Sequence, residues 1–357
     1  MKHSKIILLV ACSLFWISSL LNAQIREFGN FVTTGTEDAQ ELFEAYITPY
    51  VNGFGASLTG GWYNTAKPHK LGGFDVTLSV NAAIVPTDHR TFIVDELTLN
   101  HLERVSGTEE NSPTIAGERE SGPDMQYIYE GFSTEAFSLP AGTGIPYVPS
   151  PMIQAGIGLI KGTEIMGRFL PKIGTDKGKI GLWGVGLKHD IKQWIPGFSK
   201  VPVVNLSVMG GYTRMNSYVL LSVRPSGLHL GDYYTGSDDV WDDQKMVTSI
   251  GSFTSNILIS ADLPIITLYG GVGITVTKAE LNLEGNYPMI TSVTVDGPVV
   301  EAQADPINIE IKNQDGGITK PRLNAGLRLK LAVMTIHFDY TWANYSMVSL
   351  GLGVSIR

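Results

Sequence analysis

A period-two alternation of apolar and polar side chains, sustained over segments of about ten residues, constrains this chain more than any other feature. From Phe74 onward, Phe74, Val76, Leu78, Val80, Ala82 and Ile84 fall on one face, and Asp75, Thr77, Ser79 and Asn81 on the other. The pattern returns where Leu323, Ala325, Leu327, Leu329 and Leu331 oppose Arg322, Asn324, Gly326, Arg328 and Lys330. Residues 180–187, 204–212 and 266–276 repeat it, and several segments end in Tyr or Trp. Such strands need two surroundings at once. A soluble antiparallel sandwich supplies core and water; a barrel in a bilayer supplies lipid outside and a wet lumen inside. Three long cations on one strand face call for that lumen or for solvent.

Connection lengths favour the barrel. Tight turns at Asp262-Leu263-Pro264 and Leu331-Ala332-Val333 lie between long polar excursions over 103–150, 224–245 and 278–320. Short turns on one rim and long loops on the other mark membrane barrels. The expected fold class is therefore all-β: a transmembrane antiparallel β-barrel of about 12 to 14 strands with a small N-terminal helical plug. The chain is expected to end on the short-turn, periplasmic rim. Its last segment, Met347–Arg357, carries Val348, Leu350, Leu352, Val354 and Ile356 on one unbroken apolar face. A chain ending inside a strand resembles outer-membrane barrels, whose terminal strand is read by the insertion machinery. Those usually end in an aromatic residue, and this one ends Ile-Arg.

The N-terminus carries Lys2 and Lys5, an apolar run from Ile6 to Leu21, and the small-residue site Leu21-Asn22-Ala23. That pattern predicts a secretory signal peptide over 1–23. Cys12, the only cysteine, follows Leu9-Val10-Ala11 and has the local look of a lipidation site, but too few apolar residues precede it. Cleavage after Ala23 would leave no cysteine for a disulfide framework or a thiolate metal site. No later stretch approaches the roughly 20 apolar residues of a membrane helix. Residues 24–70 are expected to form a plug and 71–357 the barrel. Within the plug, 37–46 reads as a short helix capped by Thr36, with Leu42, Phe43 and Tyr46 near one face. Lys192–Gly197 reads as a short amphipathic turn on the periplasmic rim, with Trp194 at the interface.

Composition agrees. Charged residues make up 17% of the chain against roughly 25% in soluble domains, and glycine, at 40 residues, is abundant. Glycine suits strands that curve into a closed sheet. A net charge of −8 excludes a nucleic-acid partner, which demands a basic surface.

Asn52-Gly53-Phe54-Gly55-Ala56-Ser57 followed by Gly61-Trp62-Tyr63-Asn64-Thr65-Ala66 resembles the start of FadL-like outer-membrane transporters. A wider similarity is to an uncharacterised family of Bacteroidota outer-membrane proteins, carried by Asn64–Asp75, Gly186–Gly197 and Tyr269–Gly273. The FadL-like resemblance implies a barrel closed by an N-terminal plug, beside which a small hydrophobic molecule passes. Phe43, Tyr46, Tyr50, Phe54, Trp62 and Tyr63 are the expected ligand path. The alternative is a structural or secretion-associated barrel acting through its long loops. Expected partners are outer-membrane lipid, the barrel-insertion machinery and a hydrophobic ligand.

Candidate chemistry is sparse. Asp75, Arg322, Arg328, Lys330, His337 and Asp339 are expected to face the lumen, where His337 and Asp339 share a strand face. They suit an acid/base pair, but a salt-bridged lining with Arg328 and Lys330 fits better. Asp238, Asp239, Asp242 and Asp243 crowd one loop without the spacing of a calcium site. Lys188-His189-Asp190 reads as a polar cluster at a strand end. No nucleophile elbow, phosphate loop or His-Glu-x-x-His motif is present, so neither enzymatic activity, nor a cofactor, nor a metal is expected.

Overall fold

The computed structural model describes residues 36–129, 132–133, 136–228, 230–312 and 320–356. The expected signal peptide, Cys12 and the first part of the plug segment lie outside the described residues.

Ten long strands close into one antiparallel barrel. They are β1 (Phe74–Ile84), β2 (Tyr147–Gly158), β3 (Thr163–Thr175), β4 (Gly178–Asp190), β5 (Val204–Leu220), β6 (Lys245–Asp262), β7 (Ile266–Glu284), β8 (Lys320–Leu331), β9 (Met334–Trp342) and β10 (Met347–Ile356). Each pairs with its neighbours in sequence, and β1 pairs with β10, from Phe74 opposite Ile356 to Ala83 opposite Met347. Closure leaves no unpaired edge inside a bilayer, which a spanning sheet cannot tolerate.

The count is ten, not 12 to 14. Short strands over 91–138 form small sheets apart from the barrel wall, and Asn286–Thr294 pairs with Gly297–Ala304 as a separate hairpin. These pieces are mostly too short to cross a bilayer. Ile307–Lys312 pairs with the far end of β7, beyond the stretch that pairs with β8.

The alternation settles which face meets which medium. On β1, Asp75, Thr77, Ser79 and Asn81 are buried, whereas Phe74, Val76 and Val80 are exposed. On β10, Ser349, Gly351, Gly353 and Ser355 point inward while Leu350, Leu352, Val354 and Ile356 point outward. The outward apolar surface continues over Ile165 and Phe169, Trp183 and Val185, Ile257 and Ile259, and Ile336 and Phe338. A continuous apolar girdle of this extent is not stable against water and needs lipid. Aromatic pairs sit within it: Trp183 against Tyr212 at 5.9 Å between ring centroids, and Tyr340 against Trp342 at 4.8 Å.

Strand β7 marks where the lipid ends. Through Val276 its outward residues are apolar, Val272 being 53% exposed, and its inward residues are Gly271, Gly273 and Thr275. From residue 278 the polarity reverses without a change of register. Lys278 and Glu280 turn outward, paired at 3.1 Å, while Ala279, Leu281 and Leu283 turn inward into a dry core. This stretch was expected as loop. The backbone alternation simply continues, with water replacing lipid outside and an apolar cap replacing the wet lumen inside.

That cap stands on the long-loop rim. Residues 85–146, 221–244 and 285–306 fold over the barrel mouth, with Val94, Leu102, Met125, Leu139, Tyr287 and Met289 in one core with the upper strand ends. Connections on the opposite rim are shorter, and both β1 and β10 have their outer ends there, as the loop pattern predicts. Lys192–Trp194 forms a 3-10 turn on that rim, and Trp194 is 66% exposed, its Nε1 donating to His189 Nε2 at 3.1 Å.

Candidate functional site

The N-terminal segment threads the barrel. Its described part starts in the cap as helix α1 (Thr36–Ser57), descends without regular structure over 58–73, and turns into β1 at the short-turn rim. The helix was expected to stop near residue 46, ahead of Pro49. It runs eleven residues further because burial outweighs proline's missing N–H: Ile47 and Val51 sink into the cap core with Leu42, Phe43 and Tyr46.

Three sets of polar contacts hold the segment. At the top, the Asp38 carboxylate accepts from three successive backbone N–H groups, Asn100 (2.7 Å), His101 (2.8 Å) and Leu102 (3.0 Å). Tyr46 Oη donates to Ala141 O at 2.9 Å and Tyr50 Oη to Ile145 O at 2.7 Å, tying the helix to the same excursion.

In the middle, two arginines grip the chain as it leaves the helix. Arg168 of β3 donates to Leu58 O (3.0 Å), Gly60 O (2.6 Å) and Gln154 Oε1 (2.8 Å), and Arg322 of β8 donates to Thr59 O (3.0 Å). The Leu58, Thr59 and Gly60 carbonyls follow the last helical residue and belong to no strand, so the buried guanidinium groups supply donors that they would otherwise lack. Arg168 also stacks over Trp62 at 3.6 Å from the ring centroid, a cation–π contact. Trp62 in turn lies against Gly186 and Gly211, where a β-carbon would come within 2.7 and 2.6 Å of the ring. These inward glycines are wall recesses for the plug, a role distinct from the curvature expected of glycine.

At the bottom, Thr65 Oγ1 donates to Asp262 Oδ1 at 3.0 Å, and the Ser207 hydroxyl donates to the Ala66 carbonyl. His69 places its backbone N–H and its Nδ1 each 2.9 Å from Glu164 Oε2, with Lys188 Nζ 3.1 Å from Glu164 Oε1.

The expected lumen residues all project inward, but their partners differ from expectation. Asp339 accepts from Tyr269 Oη (3.0 Å) and Asn324 Nδ2 (2.8 Å), not from a cation or from His337. Both ring nitrogens of His337 lack a hydrogen-bond partner among the described residues. These two do not form the acid/base pair that their spacing suits. Arg322 holds the plug, Asp75 joins the His69 cluster, Arg328 stands opposite His337 in register, and Lys330 is half-buried near the short-turn rim. The six expected ligand-path residues divide: Phe43, Tyr46, Tyr50 and Phe54 belong to the cap core or pack against it, whereas Trp62 and Tyr63 lie in the lumen with Met166, Leu258 and Tyr269.

Arg168, Glu164, His69 and Asp38 were not singled out as site residues from the sequence, and Lys188 was read only as part of a polar cluster at a strand end. For β3 a signal existed: Glu164, Met166 and Arg168 alternate with Ile165, Gly167 and Phe169, the same inward-polar pattern as β1. Asp38 and His69 lie outside any strand, so periodicity says nothing of them.

Several buried polar atoms of the lumen have no described partner, among them Trp62 Nε1, Tyr63 Oη, Asn81 Oδ1 and Asn256 Oδ1. Buried polar groups in folded proteins are nearly always bonded, to water where not to protein. A cavity of about 50 Å³ lies between α1 and the upper wall, lined by Asn52, Ala56, Thr59, Thr277, Arg322 and Tyr345 among others.

Among solved structures, the chain is similar to the translocator domain of the autotransporter NalP from Neisseria meningitidis (9% identity, 88% of this chain and 99% of that one, TM-score 0.33). It is also similar to the outer membrane protease OmpT from Escherichia coli (9%, 80% and 96%, TM-score 0.32) and to the toluene transporter TodX of P. putida (9%, 80% and 90%, TM-score 0.24). No curated protein matches the chain. Over residues 1–356 it matches DUF6588, a family of unknown function, and it belongs to that family.

Proposed function

We propose that the protein is an outer-membrane channel or transporter for small hydrophobic molecules, gated by the N-terminal segment that threads its lumen. The observation that carries this reading is the way the segment is held. Residues 58–71 contribute no strand to the wall and are retained by side-chain contacts, among them those from Arg168, Arg322, Asp262 and Glu164, which release without unpairing the barrel. Orphaned polar atoms around Trp62 and Tyr63 support a hydrated lumen, and the apolar cap above, with Phe43 and Tyr46 in its core, suits an apolar cargo. Trp62, Tyr63 and Ala66 of the segment pack in the lumen against Met166, Met209, Leu258 and Tyr269, so passage requires the segment to move.

A cross-link tests the gate. Thr65 Oγ1 and Ser260 Oγ lie 3.2 Å apart, and the chain's one natural cysteine, Cys12, is in the expected signal peptide. Thr65→Cys with Ser260→Cys, oxidised, is expected to stop uptake of apolar compounds into proteoliposomes and to restore it on reduction. Mass spectrometry of the purified barrel is expected to find bound apolar molecules. Unchanged uptake with the cross-link closed, or free ion conductance with no bound apolar compound, would sink the reading. On this reading outer-membrane lipid and the barrel-insertion machinery are its partners. The well-packed cap favours one second reading, a structural or secretion-associated barrel acting through its loops, and cross-linking to other envelope proteins separates the two.

A further inference from the structure

Three side chains with metal-ligating atoms converge at the short-turn end of the lumen. His69 Nδ1, on the threaded segment, lies 2.9 Å from Glu164 Oε2 of β3 and 3.8 Å from Asp75 Oδ1 of β1. All three residues are buried, and their donor atoms lie within 4.8 Å of one another. His69 Nε2 is 3.2 Å from the Ser355 hydroxyl, which can accept its proton and so fix the ring's orientation. Nδ1 is then the nitrogen turned on two carboxylates. A lone pair there would face carboxylate lone pairs, so Nδ1 either carries the ring proton itself, with Nε2 then accepting from the Ser355 hydroxyl, or shares a metal ion with the two carboxylates.

Asp75 supplies the third donor atom. The Thr77 hydroxyl donates to its Oδ2 at 3.2 Å, whereas Oδ1 accepts no hydrogen bond from any described residue. A separation of 3.8 Å from Nδ1 is too long for a hydrogen bond. Two donors on one tetrahedral ion, with bonds of about 2.0–2.1 Å, stand about 3.3 Å apart, and the two measured separations from Nδ1 bracket that value. Gly156 makes room: a β-carbon there would come 2.7 Å from Asp75 Oδ1 and 3.1 Å from Glu164 Oε1. Lys188 occupies Glu164 Oε1 at 3.1 Å, and Oε2, which accepts the His69 backbone N–H at 2.9 Å, keeps its second lone pair for an ion.

We propose that His69, Asp75 and Glu164 form a site for a divalent first-row transition metal, which staples the end of the threaded segment to the barrel wall. One imidazole and two carboxylates suit zinc, manganese or cobalt, whereas calcium prefers oxygen alone. Because the ligands come from the segment and two strands, binding is coupled to docking of the segment. The inference stands whether or not the barrel transports anything.

The test uses the full mature barrel in detergent, stripped with chelator and equilibrated with zinc, manganese or cobalt in turn. One ion per chain is expected by elemental mass spectrometry, with a metal-dependent rise in melting temperature and, for cobalt, visible ligand-field bands. His69→Asn and Asp75→Asn should lose the ion, the rise and the bands while keeping heat-modifiable gel migration. Wild-type protein that retains none of the three metals above either variant overturns the proposal, leaving a hydrogen-bonded lock between His69 and Glu164. Should both variants fail to fold, the wild-type stoichiometry and cobalt spectrum decide alone: one ion with bands supports the site, and no ion overturns it.

Discussion

Replacing Arg168 by alanine probes the grip on the plug most directly. The guanidinium makes three hydrogen bonds to buried acceptors, Leu58 O, Gly60 O and Gln154 Oε1, and stacks on Trp62. Hydrogen bonds from a charged donor contribute about 1.5–3 kcal/mol each, and the stacking adds about 0.5–2 kcal/mol. Their sum overstates the loss, since water enters the space that the side chain leaves and Arg322 still holds Thr59 O. The cost of leaving the Leu58 and Gly60 carbonyls without their donor, about 1–3 kcal/mol each, makes a loss of about 3 kcal/mol the better guide. That energy falls on the local equilibrium between docked and undocked segment rather than on the barrel, whose strand pairing is untouched. At about 1.4 kcal/mol per tenfold, Arg168→Ala should raise the undocked population at least about a hundredfold. Ion leakage from proteoliposomes reads this population, and heat-modifiable gel migration reports that the barrel remains folded. Arg168→Lys, whose ammonium can reach only part of the acceptor set, should fall between. A folded Arg168→Ala barrel that leaks no faster than wild type would refute the idea that Arg168 retains the plug.

Other substitutions test the assignments around it. Val272, on the outward face of β7, meets lipid, so Val272→Arg should cost about 2–4 kcal/mol in reversible unfolding from bilayers, whereas Lys278→Arg, beyond the lipid, should cost almost nothing. Burial, reinforced by the neighbouring Glu41, raises the Glu44 carboxyl above the usual carboxylate range. Such a group favours folding while protonated, and its contribution is lost as pH rises through the raised value. Glu44→Gln should therefore raise the melting temperature at pH 7 but not at pH 3. Ala332, in the tight turn between β8 and β9, has φ of 57°; Ala332→Gly should stabilise the barrel by up to about 1 kcal/mol in the same unfolding assay.

How much of this was legible in the sequence depends on what each position must satisfy. Strand β1 was legible because Asp75 to Asn81 are polar at every inward position and the intervening residues apolar at every outward one. The upper part of β7 was hidden because Ala279, Leu281 and Leu283 reverse that polarity, so a rule tuned to lipid outside and water inside stops at Val276 although the strand does not. Helix α1 is legible only over 37–46, because local pattern cannot weigh the cap core that Ile47 and Val51 enter.

The plug contacts were the least legible part, and for a common reason. Arg168 and Glu164 are conspicuous as charges on a strand, yet their partners, the carbonyls of Leu58 and Gly60 and the ring and backbone N–H of His69, lie about 100 residues away on a stretch without periodicity. Sequence spacing can place a charge on the lumen face but cannot say whether it meets water, a counter-ion or a threaded chain. Here the answer depends on Trp62. Its indole fills the recess left by Gly186 and Gly211, and this brings the bend over 58–60 within reach of Arg168 on one side and Arg322 on the other. A side chain at either glycine would push the indole inward and draw the bend away from both cations. The abundance of glycine in this chain is therefore partly a requirement of the plug.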